Sequence, residues 1–174
     1  LSDLLRLSLL ASYGGMWLDS TFYCVGSLDK SLYNGPIFSI KRPDYLHASV
    51  AGGMFAGYSL GCDDDHRRAF ATIRDFFLEY WRRNDFMVDY LLVDYLTVLA
   101  QRHDPWIAEA FNEIQPNNPD CDELFKILDQ PYDEDMWKRL SAHTDLFKLT
   151  WKQDFPVEHD GEKTFYGMLE GIGD

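Results

Sequence analysis

Cysteine is scarce in this 174-residue chain: Cys24, Cys62 and Cys121 make an odd count at wide spacing. That fits neither a complete disulfide framework nor a zinc site, and reduced thiols in the cytoplasm are the simplest reading. Positive charge is scarce too. Sixteen Lys and Arg face 29 Asp and Glu, a net charge of −13, which repels phosphate backbones and excludes nucleic acid as a general partner. An acidic chain that binds a diphosphate must gather its cations, a metal or Arg and Lys, in one place. No run of 18 apolar residues occurs, and the start lacks the basic segment of a signal peptide. The expectation is therefore a chain without a membrane span, cytoplasmic, with peripheral association at the inner face of the membrane left open. The five histidines never fall at metal-ligand spacing. Repeats, low-complexity tracts and heptads are also lacking, which removes solenoids and coiled coils.

What is there begins at once, in SDLLRLSLLASYGGMWLDSTFYC. The pattern predicts a helix over 2–13, with Ser2 as N-cap and Gly14 as a left-handed stop, then a strand over 16–19. Asp19 falls at the carboxyl end of that strand, where open α/β sheets bind ligands. Asp3 and Arg6 share one face near the amino end of the helix, where unpaired N–H groups favour anions such as a nucleotide.

Beyond Cys24 the pattern loosens. Residues 26–47 read as turns with a short strand at 36–40, and 48–59 as strand material broken by Gly52 and Gly53. A helix follows over 64–83, with Asp63, Asp64 and Asp65 as its cap and acidic first turn, and Phe70, Ile73, Phe77 and Tyr80 or Trp81 on one face. A second helix is expected over 86–102, and two or three short ones in a helical subdomain over 105–144. Residues 146–152, LFKLTWK, alternate like a strand. The whole of 1–174 reads as one mixed α/β domain, rich in helix. Most of its tryptophans read as core, with stacking on sugar rings as the alternative.

SD-x-x-R followed by GG-x-W-x-D-S-T resembles the donor-site signature of glycosyltransferase family 32 and, more closely, of the capsular polysaccharide synthesis proteins related to it. YWRRNDFMVDYLLVDYL (80–96), DLFKLTWK (145–152) and TFYGML (164–169) resemble that family in order and spacing. The resemblance implies a GT-A-like nucleotide-sugar transferase, a Rossmann-like mixed sheet flanked by helices. The family's domain normally begins with further strands that bind base and ribose, so this chain reads as the carboxyl-terminal two thirds of such a domain, lacking its N-terminal strands. The implied function is transfer of a hexose from a nucleotide sugar, UDP-linked, to a glycan acceptor in surface polysaccharide synthesis, with retention of configuration.

By that resemblance Asp19 begins a D-x-D-like motif, contacting ribose or donor sugar and helping to hold a divalent metal, Mn²⁺ or Mg²⁺. Thr21 stands where the wider family has a second Asp; the capsular group tends to carry this D-x-T form. Arg6 matches the basic residue behind the donor and would pair with phosphate, or hold Asp3 and Asp19 in place. The plain alternatives are a strand-end Asp closing a turn and an Asp3–Arg6 helix pair. Lys148 and Lys152 point one way on the late strand and would stabilise the leaving diphosphate, unless they merely guard a sheet edge. Asp89, Tyr90 and Asp94 interrupt an apolar helix, with Tyr90 and Asp94 on a shared face. By resemblance this segment lines the pocket where donor and acceptor meet, and Asp94 is the candidate for orienting the acceptor or acting as base. A solvent-facing Asp is the alternative.

Two other classes stay open. A phosphotransfer hydrolase would use the strand-D-S-T pattern, but such enzymes need an acid where Thr21 stands. A non-catalytic or truncated chain would only bind glycan or pair with another subunit.

Overall fold

The structure, a computed structural model, describes residues 2–26, 28 and 35–171. Helix α1 (Ser2–Tyr13) buries Arg6, Leu7 and Leu10, the spacing of one helix face. Gly14 stops it with φ +64°, its N–H donating to the Leu10 carbonyl at 2.9 Å. A Cβ on Gly14 would lie 3.1 Å from the Cys62 carbonyl oxygen, so the left-handed backbone and the close approach both call for glycine. Strand β1 (Gly15–Leu18) follows and delivers the chain to Asp19.

Two compact units divide the chain: Leu1–Asp19 with Asp29–Asn117, and Ser20–Leu28 with Asn118–Asp174. Between them the described residues hold six α-helices and short sheets. In the first unit β1 pairs with β4 (Ser59–Cys62), which pairs with β3 (Ile37–Ser39), Leu18 opposite Ser59 and Ile37 opposite Cys62. Every strand pairing among the described residues is antiparallel, unlike the Rossmann-like mixed sheet expected. The reason lies in the segment before β4. Of residues 48–59, expected as broken strand, only Ser59 enters a strand, and 48–58 are mostly turns, with φ +61° at Gly52 and +82° at Gly53. Hydrogen bonds from the Leu46 N–H to the Gly52 carbonyl and from the Arg42 N–H to the Gly53 carbonyl, both 2.9 Å, close the loop and reverse the chain. Asp19 thus sits at the end of an antiparallel edge strand, and the strand-end rule for parallel sheets does not account for its position.

Helix α2 (Arg67–Arg83) buries Phe70, Ile73 and Phe77 as expected. The Asp63 carboxylate accepts the His66 N–H at 2.8 Å in the turn that leads into it, which gives the acidic run a structural role. Helix α3 spans only Leu92–His103. The expected start at 86 fails because the Asp89 carboxylate takes the Leu91 N–H at 2.7 Å, a local turn that competes with helix. Helix α4 (Pro105–Asn112) starts on Asp104, whose side chain accepts the Trp106 N–H. Leu7, Phe70, Ile73 and Ile107 are fully buried at the centre of this unit.

In the second unit β2 (Phe22–Cys24) pairs with β5 (Leu146–Lys148). The expected strand over 146–152 stops at Lys148, leaving Trp151 and Lys152 exposed. Leu124 in a 3-10 turn, Leu128, Phe147 and Phe165 form the core. Helix α5 (Glu134–Ser141), the hairpin β6 (Glu158–His159) and β7 (Glu162–Lys163), and α6 (Phe165–Glu170) complete it. The expected helical segment 105–144 is shared between the units, α4 in the first and α5 in the second. Of the expected turn region 26–47, residues 27 and 29–34 lie outside the described residues.

Gly14→Ala tests the helix-to-strand junction. It should lower stability in urea titration by about 1–2 kcal/mol, the cost of left-handed backbone in an L-residue.

Candidate functional site

Arg6 is 7 % exposed, and a buried guanidinium must find partners. Its Nη1 donates to the Gly57 carbonyl. Its Nη2 lies 3.1 Å from Asp3 Oδ1 and 3.5 Å from Asp19 Oδ1. The guanidinium carbon stands 5.5 Å from the centroid of the Trp17 ring, and Trp17 Nε1–H donates to Asp19 Oδ1 at 3.0 Å. The Asp19 N–H is anchored on the Tyr58 carbonyl at 3.0 Å. Helix α1, the end of β1 and the turn before β4 thus converge on one cation. Arg6 Nε remains buried without a partner.

Asp94, in the first turn of α3, joins this cluster from the other side. Its carboxylate lies against Gly57, where any side chain would collide with Asp94 Oδ1. Burial pushes its carboxyl up to about 6, with Arg6 opposing the rise and Asp3 adding to it. Two carboxylates contact the guanidinium, and a third, Asp94, feels its charge without pairing with it and has its proton held into the neutral range. Such a group can take or give a proton near neutral pH.

The model of the family described as capsular polysaccharide synthesis protein matches residues 1–169. The chain belongs to the capsular polysaccharide synthesis protein family. No curated protein and no solved structure gives a significant match.

The structure of this capsular polysaccharide synthesis protein brings Asp3, Arg6, Asp19 and Asp94 together. Asp89 is exposed on the turn before α3, its carboxylate engaged by the Leu91 N–H, and Tyr90 precedes the helix, so it shares no helical face with Asp94. Lys152 is exposed beyond β5. In the second unit the Lys148 ammonium donates to the Thr21 hydroxyl and lies 5.6 Å from the Phe22 ring centroid. Trp17, Gly57 and Tyr58 were given no role from sequence. Only Trp17 had a signal, its place within GG-x-W-x-D; the other two act through backbone carbonyls.

A divalent cation wants several oxygen ligands free of competing charge. Asp19 Oδ1 already accepts Trp17 and faces Arg6, while the Thr21 oxygen accepts an ammonium. Among the described residues no group of three or more His, Cys, Asp or Glu is placed to hold a metal. The donor set assigned to Mn²⁺ or Mg²⁺ does not fit it.

The Asp94 proton gives a signed prediction. A carboxyl whose folded value, about 6, exceeds the ordinary carboxylate value of 3.8 stabilises the fold fully below pH ~4, and that contribution is lost as pH rises through 6. Between those limits the wild type should lose up to about 3 kcal/mol relative to Asp94→Asn, read as the difference between their urea midpoints across pH.

Proposed function

We propose that this protein is a glycosyltransferase that moves a hexose from a nucleoside-diphosphate sugar, UDP-linked, to a glycan acceptor of the growing capsular polysaccharide. The observation that carries the reading is the buried Arg6 guanidinium, held by Asp3, Asp19 and the Gly57 carbonyl with one N–H still unpaired. Loss of the diphosphate builds negative charge on the leaving oxygen, and a preorganised guanidinium in a dry site stabilises that charge. Asp19 and Asp3 accept hydrogen bonds from the hydroxyls of ribose or sugar. Asp94 orients the acceptor hydroxyl and takes its proton as the new bond forms. Every residue in this mechanism belongs to the first unit, and no step runs through a metal.

The finer parts of the proposal rest on the resemblance of SD-x-x-R and GG-x-W-x-D-S-T: a GT-A type fold, kinship with glycosyltransferase family 32, and retention of configuration. Nucleotide sugars are made in the cytoplasm, so the proposal places the reaction there, at the inner face of the membrane. No helix among the described residues is long and apolar enough to cross a membrane.

Calorimetric titration of UDP tests the reading. Wild-type protein should bind UDP equally with EDTA or Mn²⁺, and Arg6→Met should weaken binding about tenfold or more, about 1.4 kcal/mol. Asp19→Asn, whose smaller change spares the fold, should weaken it less. Wild-type protein that binds no UDP in either condition would sink the proposal.

A further inference from the structure

Helix α3 presents two sets of side chains. Asp94 turns to the Arg6 cluster, while Tyr95, Leu99 and Arg102, at i, i+4 and i+7, share a neighbouring face. That face forms one wall of a cleft of about 600 Å³, whose other wall is the loop segment His47, Ala48, Ser49 and Val50. The size is that of a site for a few sugar rings. The loop wall is built rather than loose: the Ser49 N–H donates to the Leu46 carbonyl and the Gly52 N–H to the Ser49 carbonyl, both at 3.0 Å. The Tyr45 ring lies where a side chain at Gly52 would stand.

The lining is unlike the rest of this acidic chain. Among the described residues no Asp or Glu borders the cleft, though the chain carries 29 of them. Arg102 forms no ion pair with any described residue, whereas Arg67, Arg68, Arg74, Arg82 and Arg83 are each paired with a carboxylate. Tyr95 is 49 % exposed and Leu99 40 %, an aromatic and an aliphatic surface open to a ligand. The Ser49 oxygen accepts the Ala51 N–H at 3.2 Å, and its own hydroxyl proton remains to be given. Val98, one turn beyond Asp94 on the same side of α3, also borders the cleft, so its lining reaches the face of α3 that carries the candidate base.

We infer that this cleft is the acceptor subsite and that the acceptor it takes is an acidic sugar chain. Arg102 pairs with a carboxylate of the chain, the Tyr95 ring packs against the apolar face of a sugar, and His47 and Ser49 hydrogen-bond to hydroxyls. A chain so bound lies along α3 and can extend its terminal hydroxyl toward Asp94. The inference rests on the transferase reading and adds to it the chemical class of the acceptor.

The test titrates tetragalacturonate and neutral galactotetraose separately into wild-type protein, Arg102→Gln and Tyr95→Ala, with UDP titrated into each as the control for the donor site. Both substitutions are at exposed positions and should leave the fold and UDP binding unchanged. Wild-type protein should bind the acidic tetramer at least about fivefold more tightly than the neutral one, about 1 kcal/mol. Added salt should erode that preference. Arg102→Gln should abolish the preference, and Tyr95→Ala should weaken both tetramers. Equal affinity for the two tetramers, or no affinity for either while UDP still binds, overturns the acceptor inference and leaves the transferase reading standing. Loss of UDP binding by the wild type together with that of both tetramers overturns both.

Discussion

The cost of burying one positive charge organises the candidate site of the first unit. A guanidinium removed from water is tolerated only if its hydrogen bonds and its charge are met, and Arg6 meets them from α1, from the end of β1 and from the turn before β4. Three segments are thereby fixed against one another at a single point, and Asp94 of α3 lies against one of them at Gly57. Truncating Arg6 would leave carboxylates without compensation, and breaking buried pairs in this way commonly costs about 3–5 kcal/mol. The same cluster is both a structural centre among the described residues and the place on which the proposed chemistry rests.

The local signals were legible wherever one residue decided the outcome. Gly14 stops α1 because only glycine accepts its backbone, and SD-x-x-R with W-x-D reads out the cluster because its members lie on adjacent turns of chain. Long-range partners were not. Nothing in the sequence says that the carbonyl of Gly57 caps Arg6, since a backbone oxygen has no residue type. Asp89 read as a companion of Asp94 because both interrupt the same apolar run. The side chain of Asp89 instead spent itself on the Leu91 N–H, delaying the helix and leaving Asp94 alone at its inward face.

Sheet direction was illegible for a related reason. Short apolar stretches carry no mark of parallel or antiparallel pairing, and the reversal is made by Gly52 and Gly53, which in sequence look like a defect in a strand. The hairpin at Asp160–Gly161 carries a signal that the sequence analysis did not take up, a D-G pair between two short strands with both residues left-handed, φ +52° and +83°. The family match extends over most of the chain and ties it to capsular polysaccharide synthesis. The chemistry has to be argued from the cluster itself.

The position of Asp94 has a consequence for what binding does to protons. Its carboxyl already titrates near 6 because it is buried, with a second acid, Asp3, adding to the rise. On the transferase reading, a nucleoside diphosphate beside Arg6 would bring more negative charge than the guanidinium balances and would raise the Asp94 carboxyl further, so that Asp94 serves as a base only at a pH above that raised value. Ligand binding and proton uptake would then be one event, linked reciprocally: acidification would favour the anion, and the anion would recruit a proton from solvent. Departure of the proposed diphosphate would run the linkage backwards and reset the acid–base state of the site with each cycle of occupancy.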